Sequence, residues 1–343
     1  MSIMTLSGKT GKSKLILGGR ISNLEDYCKA DTVVLVTDKN VLAHYGGRLS
    51  KFDLIEVGAG ETAKTLDTVH KIYEEFLKRG INKSSLVVGV GGGVVCDVTG
   101  FAASTYLRGV GLGFVPTTLL AQVDASIGGK NGVNLNGYKN LIGTIRQPRF
   151  CLLDFELLKT LPKRELASGL AEIAKCGAIA DPALFGYLER EHNATLSLNK
   201  AVIERIVRGA LEVKIKAVEA DEFENEERMK LNFGHTIGHA IEKVARLSHG
   251  DAISMGMVAA AELSVSMGLI PVDGAKRLEV LLKNLGLPTR FHGDKRAILD
   301  AVLKDKKIRG EEINMILLAG IGKAVIKRIR INQLESVLSM VSS

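Results

Sequence analysis

Three histidines close together in the sequence suggest metal chemistry. In the segment from Arg228 to Gly256, His235 and His239 are four residues apart, and His249 follows beside a glycine. Four residues is close to one helical turn, so the first two imidazoles share a helix face, and we expect the third on a loop. A single histidine is more often an ordinary satisfied polar residue. Three together predict a site for a divalent metal ion.

An acidic ligand is predicted on a second helix. The segment RELASGLAEIAKCGAIAD has the apolar spacing of an amphipathic helix. Glu172 and Lys175 are three residues apart there and can both point into one pocket, although a surface ion pair is the alternative. Catalytic zinc commonly takes three protein ligands, and Glu172, His235 and His249 meet that requirement. A threonine follows His235, which excludes the H-E-x-x-H motif of metalloproteases.

Composition narrows the class of protein. The 343 residues are enough for two domains, and 46% hydrophobic content predicts a folded α/β protein rather than a disordered chain. The net charge of +8 suits nucleic acid or an anionic metabolite. The lysines are dispersed, without a basic run or interleaved aromatic residues, so we expect a small-molecule substrate and no nucleic-acid partner.

The cysteines and the apolar segments indicate the cellular compartment. The four cysteines form no C-x-x-C pair, which predicts neither a disulfide framework nor a cysteine zinc site and suits the cytoplasm. The first residues lack the long apolar stretch of a signal peptide. The apolar segment from Ala252 to Ile270 contains Glu262 and several small polar residues, so we expect a buried helix rather than a membrane span.

Strands and helices alternate in the first half of the sequence. The pattern predicts a helix over 65–80 and strands over 32–38, 52–61, 84–93 and 110–118. This alternation is typical of a parallel sheet that is covered on both faces and binds ligands at the carboxyl ends of its strands. Asp38, Gly91 to Asp97 and Thr117-Thr118 fall at such ends.

The second half is mostly helical. From Lys163 onward we predict a helix over 201–222, further helices beginning near 252 and 274, and a short strand over 324–331. The domain boundary is therefore predicted between residues 155 and 165. The sequence predicts an α/β N-terminal domain with a parallel sheet, followed by a mostly α-helical C-terminal domain.

Two glycine-rich segments could bind anions. VGVGGGVVCD follows a predicted strand and opens a predicted helix, an arrangement in which backbone N–H groups meet a pyrophosphate. Its register is not G-x-G-x-x-G, and a tight turn without a ligand is the alternative. We expect Asp97 and the glycines before it to form this turn. In the segment 125–140, Lys130, Lys139 and Asn140 could bind an anion, although a solvated loop is the alternative.

These motifs together resemble the 3-dehydroquinate synthases, members of the sugar-phosphate cyclase superfamily. The resemblance runs nearly end to end and rests on GGGVVCD, PTTLLAQVDASIGGKNGVN, KNLIG, TLPKRE, AEIAK, LNFGHTIGHA, HGDAISMGM and DKK, in that order. It implies a Rossmann-like NAD-binding domain over 1–160 and a helical metal- and substrate-binding domain over 161–343. Cys96 and Asp251 stand where the family pattern has glycine and glutamate.

The resemblance also implies a role for each matching position. The metal, Zn²⁺ or Co²⁺, is assigned to Glu172, His235 and His249. NAD contacts are implied at Asp38, Glu61, Lys64, Gly92, Gly93, Val94, Asp97, Thr117, Thr118, Asp124, Lys130, Lys139 and Thr160. Catalytic and substrate contacts are implied at Asp124, Lys130, Asn140, Lys175, Lys214, Arg228, Asn232, His239, Lys306 and Lys307. Arg108 matches an arginine that reaches the site of a neighbouring subunit, which implies a homodimer.

The implied activity is the second step of the shikimate pathway, which leads to chorismate and the aromatic amino acids. The enzymes of this family convert 3-deoxy-D-arabino-heptulosonate 7-phosphate to 3-dehydroquinate and phosphate by transient NAD oxidation, phosphate elimination, re-reduction, ring opening and aldol closure. Alternatives are another sugar-phosphate cyclase, a metal-dependent polyol dehydrogenase and a metabolite-binding module without catalysis. Arg228, Asn232 and His239 follow the dehydroquinate synthase pattern.

Overall fold

The computed structural model describes residues 1–303, 308–309 and 312–341. The chain divides into two compact units, Met1–Leu161 and Pro162–Ser343. Among the described residues, no helix is both long enough and apolar enough to cross a membrane.

Unit 1 contains nine strands and three α-helices among short helical turns. The strands are β1 Ser2–Gly8, β2 Gly11–Leu17, β3 Val33–Asp38, β4 Asp53–Val57, β5 Leu86–Gly91, β6 Gly111–Pro116, β7 Lys130–Leu135, β8 Tyr138–Ile145 and β9 Phe150–Leu153. The helices are α1 Lys39–Leu49, α2 Leu66–Lys78 and α3 Gly93–Thr105. The short helical turns are Ile21–Tyr27, Glu61–Ala63, Tyr106–Arg108, Ala121–Ala125 and Phe155–Thr160.

The main sheet of unit 1 has seven strands in the order β1-β2-β9-β6-β5-β3-β4. Only the edge strand β1 is antiparallel to its neighbour. Every residue of β5, β6 and β9 is buried, as expected for strands covered on both faces. The predicted parallel sheet is therefore confirmed, and β3 to β6 lie within the predicted strand ranges.

Two hairpins of unit 1 differ from the sequence prediction. β1 and β2 pair as a hairpin at the edge of the main sheet, where no strand was predicted. β7 and β8 form a second hairpin in a segment read as a solvated or anion-binding loop. Its turn consists of Asn136 and Gly137, both with positive φ, as two-residue hairpin turns require. Asn-Gly was the sequence signal for this hairpin.

Unit 2 is mostly helical, as predicted, and contains one small sheet. The helices are α4 Lys163–Ala180, α5 Pro182–Leu196, α6 Lys200–Ala220, α7 His235–Ala245, α8 His249–Ser266, α9 Val272–Asn284, α10 Lys295–Leu303 and α11 Ile331–Val341, with a helical turn over Glu227–Asn232. The antiparallel strands β10 Ile308–Arg309, β11 Glu312–Gly320 and β12 Lys323–Arg330 form the sheet. β12 confirms the predicted short strand, whereas β11 was not predicted.

Glycines allow α7 and α8 to approach each other closely. A Cβ on Gly256 would lie 2.0 Å from the carbonyl oxygen of Gly234, and one on Gly238 would lie 3.0 Å from that of Ala252. The first distance is far shorter than carbon–oxygen contact allows, so only glycine fits at Gly256, and the second is a tight contact. On the neighbouring helix, a Cβ on Gly250 would lie 2.3 Å from the Cα atom of Ser168 in α4. The backbones of α4, α7 and α8 therefore come together without side chains between them.

Candidate functional site

The carboxyl ends of the central strands in unit 1 gather several predicted NAD contacts. The chain runs from β3 outward to β4 and returns to β5 on the other side of β3, so the strand order reverses there. Ligands of open parallel sheets bind at such a switch point. Asp38 ends β3 and caps α1, because its Oδ1 accepts from the backbone N–H groups of Asn40 and Val41 at 2.8 and 3.1 Å.

The glycine turn lies beside Asp38 at the end of β5. Gly91 ends the strand, Gly92 caps α3, and Gly93 begins the helix. A Cβ on Gly91 would lie 2.6 Å from Val95, and one on Gly92 would lie 3.1 Å from the Thr118 methyl group. The turn thus leaves backbone N–H groups at a helix N-terminus without side-chain cover, the feature that binds phosphate groups.

Asp97 lies in the second turn of α3 and not in the glycine turn where we expected it. Its carboxylate forms an ion pair with Lys64, whose side chain is 6% exposed. Burial raises the pKa of Asp97 to about 6, although Lys64 opposes this increase. This ion pair connects the loop after Glu61–Ala63 to α3.

The β7–β8 hairpin joins this group. The Asn134 side chain donates to Glu61 Oε1 at 2.8 Å, and its backbone N–H donates to the Lys64 carbonyl at 2.9 Å. Lys139 Nζ lies 4.0 Å from the same Glu61 oxygen. Glu61, Lys64, Asp97 and Lys139 therefore belong to one network.

Other predicted residues of unit 1 lie on separate elements. Thr118 Oγ1 accepts from the Ala121 N–H at 3.1 Å, and the Thr160 hydroxyl lies 2.6 Å from the Tyr45 hydroxyl. The others have these positions: Val94 in α3, Thr117 after β6, Asp124 in the turn Ala121–Ala125, Lys130 at the start of β7 and Asn140 in β8 with a φ of 53°.

Arg108 lies on an unusual turn. Leu107, Arg108 and Gly109 have consecutive φ values of 48°, 60° and 109°, a region that L-residues rarely adopt. Arg146 braces this turn, because its guanidinium donates to the carbonyl of Ala103 before it and of Val110 after it, at 2.9 and 2.6 Å. Arg108 itself is exposed.

Three helices of unit 2 bring the predicted metal ligands together. Glu172 comes from α4, His235 from the start of α7, and His249 from the start of α8. Glu172 Oε1 lies 3.7 Å from His235 Nε2 and 3.5 Å from His249 Nε2. The sequence placed His249 on a loop. It is instead the first residue of α8, because Arg246 adopts a left-handed conformation that ends α7 and Ser248 caps the next helix.

The electrostatics of this trio favour positive charge beside Glu172. Burial would raise the pKa of Glu172, but the Lys175 cation and the two imidazoles outweigh burial and hold it well below its usual range. Burial and then Lys175 hold the pKa of His235 well below its usual range, so this imidazole keeps a free lone pair. Burial lowers the pKa of His249, but Glu172 and Glu242 outweigh burial and raise it to about 9.

Glu172 provides a direct test of whether these residues fit a metal. Its side chain is 2% exposed, and its Oε1 atom accepts no hydrogen bond. A buried carboxylate oxygen without a donor costs free energy unless a cation compensates for it. The ligand atoms of Glu172, His235 and His249 all lie within 4.8 Å of one another. One carboxylate and two imidazoles form a usual catalytic zinc set.

Three cationic side chains of unit 2 are buried. Lys175, Lys214 and Arg228 are 2%, 6% and 3% exposed. Lys175 pairs with Glu172, and the Arg228 guanidinium donates to the carbonyl of Glu222. Because lysine and arginine are almost never fully buried without a partner, the fold must compensate each of these three charges.

Two further predicted residues, Asn232 and His239, lie within the described part of unit 2. The Asn232 amide donates to Glu224 Oε1, and the exposed His239 ring lies 5.1 Å from the His235 ring, centroid to centroid. Lys306 and Lys307 lie outside the described residues. Sequence reasoning missed Glu242, which lies 3.5 Å from His249 Nδ1. The sequence signal that could have found Glu242 is its position three residues after His239, which puts both on one face of a helix.

Comparisons with known proteins give the family. The 3-dehydroquinate synthase N-terminal model matches residues 54–168, and the corresponding C-terminal model matches residues 169–308. The 3-dehydroquinate synthase of Thermoanaerobacter pseudethanolicus is 40% identical over 92% of both chains. That of Streptococcus pneumoniae is 38% identical, again over 92% of both.

Solved structures of two other cyclases are similar along nearly the whole chain. A 2-deoxy-scyllo-inosose synthase complexed with carbaglucose-6-phosphate, NAD⁺ and Co²⁺ has a TM-score of 0.90 and 27% identity over 99% of this chain and 100% of its own. A 2-epi-5-epi-valiolone synthase from Streptomyces hygroscopicus subsp. jinggangensis, with NAD⁺ and Zn²⁺ bound, has a TM-score of 0.88 and 28% identity over 95% and 96%.

A probable glycerol dehydrogenase from Sinorhizobium meliloti shares only the fold, at 15% identity and a TM-score of 0.69 over 99% of this chain and 97% of its own. Identity is thus higher to the two dehydroquinate synthases than to the two other cyclases, and the family matches continue from unit 1 into unit 2. The chain belongs to the 3-dehydroquinate synthase family.

Proposed function

We propose that the protein is a 3-dehydroquinate synthase that converts 3-deoxy-D-arabino-heptulosonate 7-phosphate to 3-dehydroquinate and phosphate. The observation that carries this proposal is the buried Glu172 Oε1, which has no donor and faces the Nε2 atoms of His235 and His249. In a member of this family, such a trio is suited to the metal on which the reaction depends.

Unit 1 supplies the residues that would hold NAD. The glycine turn before α3 offers backbone N–H groups for the pyrophosphate. Asp38 lies at the end of β3, and the Lys64–Asp97 pair joins the neighbouring loop to α3. These residues would contact the rest of the dinucleotide. The cyclases solved with NAD⁺ support this assignment.

Unit 2 supplies the residues that would hold the metal and the substrate. A metal held there would act as a Lewis acid that makes the C5 hydroxyl easier to deprotonate, and NAD would supply an acceptor for the C5 hydride. Lys175, Lys214 and Arg228 would bind the substrate carboxylate and phosphate, because guanidinium and ammonium groups donate charge-assisted hydrogen bonds to both. Asn232 and His239 would contact the sugar hydroxyl groups.

We also propose that the protein acts as a homodimer in the cytoplasm. Arg108 is exposed on a braced turn, which suits a contact with a second copy. Cys28, Cys96, Cys151 and Cys176 are all free thiols, which suits a reducing compartment. Light scattering coupled to size exclusion measures the mass in solution, and a monomer would contradict the dimer.

The experiment that tests the activity follows phosphate release from the heptulosonate phosphate in the presence of NAD and zinc. We expect phosphate without accumulation of NADH, because the cofactor is reduced and then re-oxidised within one turnover. Accumulation of NADH in step with substrate loss would instead indicate a polyol dehydrogenase. Release of phosphate with a deoxy-inosose or valiolone product from their own sugar phosphates would indicate another cyclase.

His249→Ala tests the metal assignment within the same experiment. Removal of one of three ligands should abolish both stoichiometric zinc, measured by elemental analysis, and phosphate release. His70→Ala is the matched control, since His70 lies exposed on α2 in unit 1. A His249 variant that retained one zinc per chain and full turnover would remove His249 from the site.

A further inference from the structure

The His249 imidazole lies between two carboxylates. Its Nε2 atom is 3.5 Å from Glu172 Oε1, and its Nδ1 atom is 3.5 Å from Glu242 Oε2. The side chains of Glu172 and Glu242 are 2% and 12% exposed. The two ring nitrogens therefore face different carboxylates, both of them shielded from solvent.

Helix geometry places Glu242 opposite His249. His235, His239 and Glu242 are spaced by four and three residues, so they form one line along a face of α7. The His249 ring packs along this line, with its centroid 5.6 Å from that of His235 and 6.2 Å from that of His239. Since His249 is the first residue of α8, capped by Ser248, its backbone is fixed, and the ring orientation depends on its neighbours.

A neutral imidazole has one N–H group and one lone pair, and a metal needs the lone pair. An acceptor at Nδ1 keeps the proton on that nitrogen and leaves the lone pair on Nε2, which faces Glu172 and His235. We propose that Glu242 is a positioning residue that holds His249 in the tautomer and orientation required for metal binding at Nε2. This inference rests on the proposed function, because it assigns a residue to the support of the same metal site.

The alternative is that Glu242 is itself a ligand. Ligand atoms of His239, Glu242 and His249 also lie within 4.8 Å of one another. The neutral ring of His249 offers one lone pair and can serve only one of the two groups at a time. The group with Glu172 contains a buried oxygen without a donor, whereas His239 is exposed. Burial therefore favours the metal at Glu172, with Glu242 outside its ligand set.

The experiment measures metal affinity in the full-length protein, separately from turnover. Zinc is stripped, and its affinity is measured by competition with a chromophoric chelator for the parent, Glu242→Ala and Glu242→Gln. Cobalt is then added, and the visible spectrum reports the number and type of ligands. Glu279→Gln is the matched control, since Glu279 is 14% exposed, lies on α9 and pairs with Lys283 and Arg290.

We expect Glu242→Ala to weaken zinc binding by about 10- to 100-fold, the usual effect of removing the partner of a ligating histidine. Glu242→Gln should lose less, because its amide oxygen still accepts from Nδ1–H, and it keeps the shape of the side chain if alanine impairs folding. The cobalt spectrum should be unchanged in both variants, because the ligands remain the same. The Glu279 control should match the parent.

Two results would overturn the proposal. Zinc affinity in Glu242→Ala within twofold of the parent would show that Glu242 does not support His249. A cobalt spectrum with altered coordination would show that Glu242 is a ligand and not a positioning residue. These results differ from those that would contradict the proposed function. A parent protein that binds zinc but releases no phosphate would contradict the activity, whereas the comparison of zinc affinities would still test the role of Glu242.

Discussion

Lys214 and Lys216 illustrate how burial distinguishes residues that the sequence makes equivalent. Both belong to the KIK stretch of α6, but Lys214 is buried and Lys216 is exposed. An ammonium group loses its hydration when buried, so the fold must supply compensating contacts. A cation kept in such a position is suited to binding an anionic substrate rather than to solubility.

This difference predicts opposite results for the same substitution. Lys214→Ala should fold and bind zinc and NAD normally, yet lose at least tenfold in kcat/KM with the heptulosonate phosphate, because a charged hydrogen bond contributes about 1.5–3 kcal/mol. Lys216→Ala, two residues further along and on the exposed side of α6, should be nearly unaffected. Steady-state kinetics of the two variants measure this, and similar kinetics in both would return Lys214 to a structural role.

Asp97 predicts a dependence of stability on pH. Burial raises its pKa in the folded protein to about 6, whereas an aspartate in an unfolded chain has a pKa near 4. The folded state therefore binds this proton more tightly, so its contribution to stability is present at low pH and is lost as pH rises from about 4 to about 6. Two pKa units correspond to about 3 kcal/mol.

The variant that isolates this effect is Asp97→Asn, which cannot titrate. Relative to the parent, its free energy of unfolding should rise by up to about 3 kcal/mol between pH 4 and pH 7. Urea titrations of both proteins across this range give the difference. A difference that does not change with pH would mean that Lys64 fully compensates for the burial of the carboxylate.

At the scale of elements, glycine determines how closely α7 can approach α8. Gly234, Gly238 and Gly256 remove the side chains that would separate the two helices, and His235 and His249 lie at their first residues. The distance between these imidazoles is therefore set by backbone contact. A change at a glycine several residues away should therefore shift the two helices and move these candidate metal ligands.

Gly256→Ala tests this contact. Its Cβ would lie 2.0 Å from the Gly234 oxygen and 2.7 Å from the Gly238 nitrogen, both of them backbone atoms. Overpacking of this kind typically costs about 1–3 kcal/mol or more, so we expect a lower urea midpoint and weaker zinc binding. Gly186→Ala in α5 is the control, since its Cβ would meet only the flexible Arg190 side chain at 3.4 Å. Equal stability of the two variants would contradict the close approach.

The sequence predicted those helices, strands and turns whose pattern of apolar residues and glycines lies within one short segment. The β5–α3 glycine turn and helix α4 follow from apolar runs and periodicity within single segments. The β1–β2 edge and β11 were missed because their partners, not their own residues, decide whether they pair. The contact of Glu242 with His249 spans the α7–α8 break, and burial of Lys214 depends on other helices, so neither could be read from spacing alone.

At the scale of the molecule, the two compact units divide the chemistry. All described candidates for NAD contacts lie in unit 1, and the metal trio and the three buried cations lie in unit 2. Each unit can therefore be tested for its own ligand. NAD affinity should follow substitutions in unit 1, and zinc affinity should follow substitutions in unit 2.

The cysteines give a measure of the integrity of the whole fold. Cys96, Cys151 and Cys176 are buried, and burial raises the pKa of both Cys28 and Cys151 to about 12. A thiol with that pKa is about one part in ten thousand thiolate at pH 8, and only the thiolate reacts. We expect a thiol reagent to label the native protein slowly and all four cysteines at once in denaturant. A rapidly labelled cysteine in the native protein would contradict this packing.

The turn that carries Arg108 has a consequence for recognition. Three successive residues in a rare backbone conformation would relax if free, but Arg146 ties the carbonyls on both sides of them. The cost of ordering this turn is therefore met during folding, when Arg146 forms these hydrogen bonds. An exposed arginine usually loses side-chain and backbone freedom together on binding. Here only the Arg108 side chain has freedom left to lose, which would lower the entropic cost of any contact that it makes.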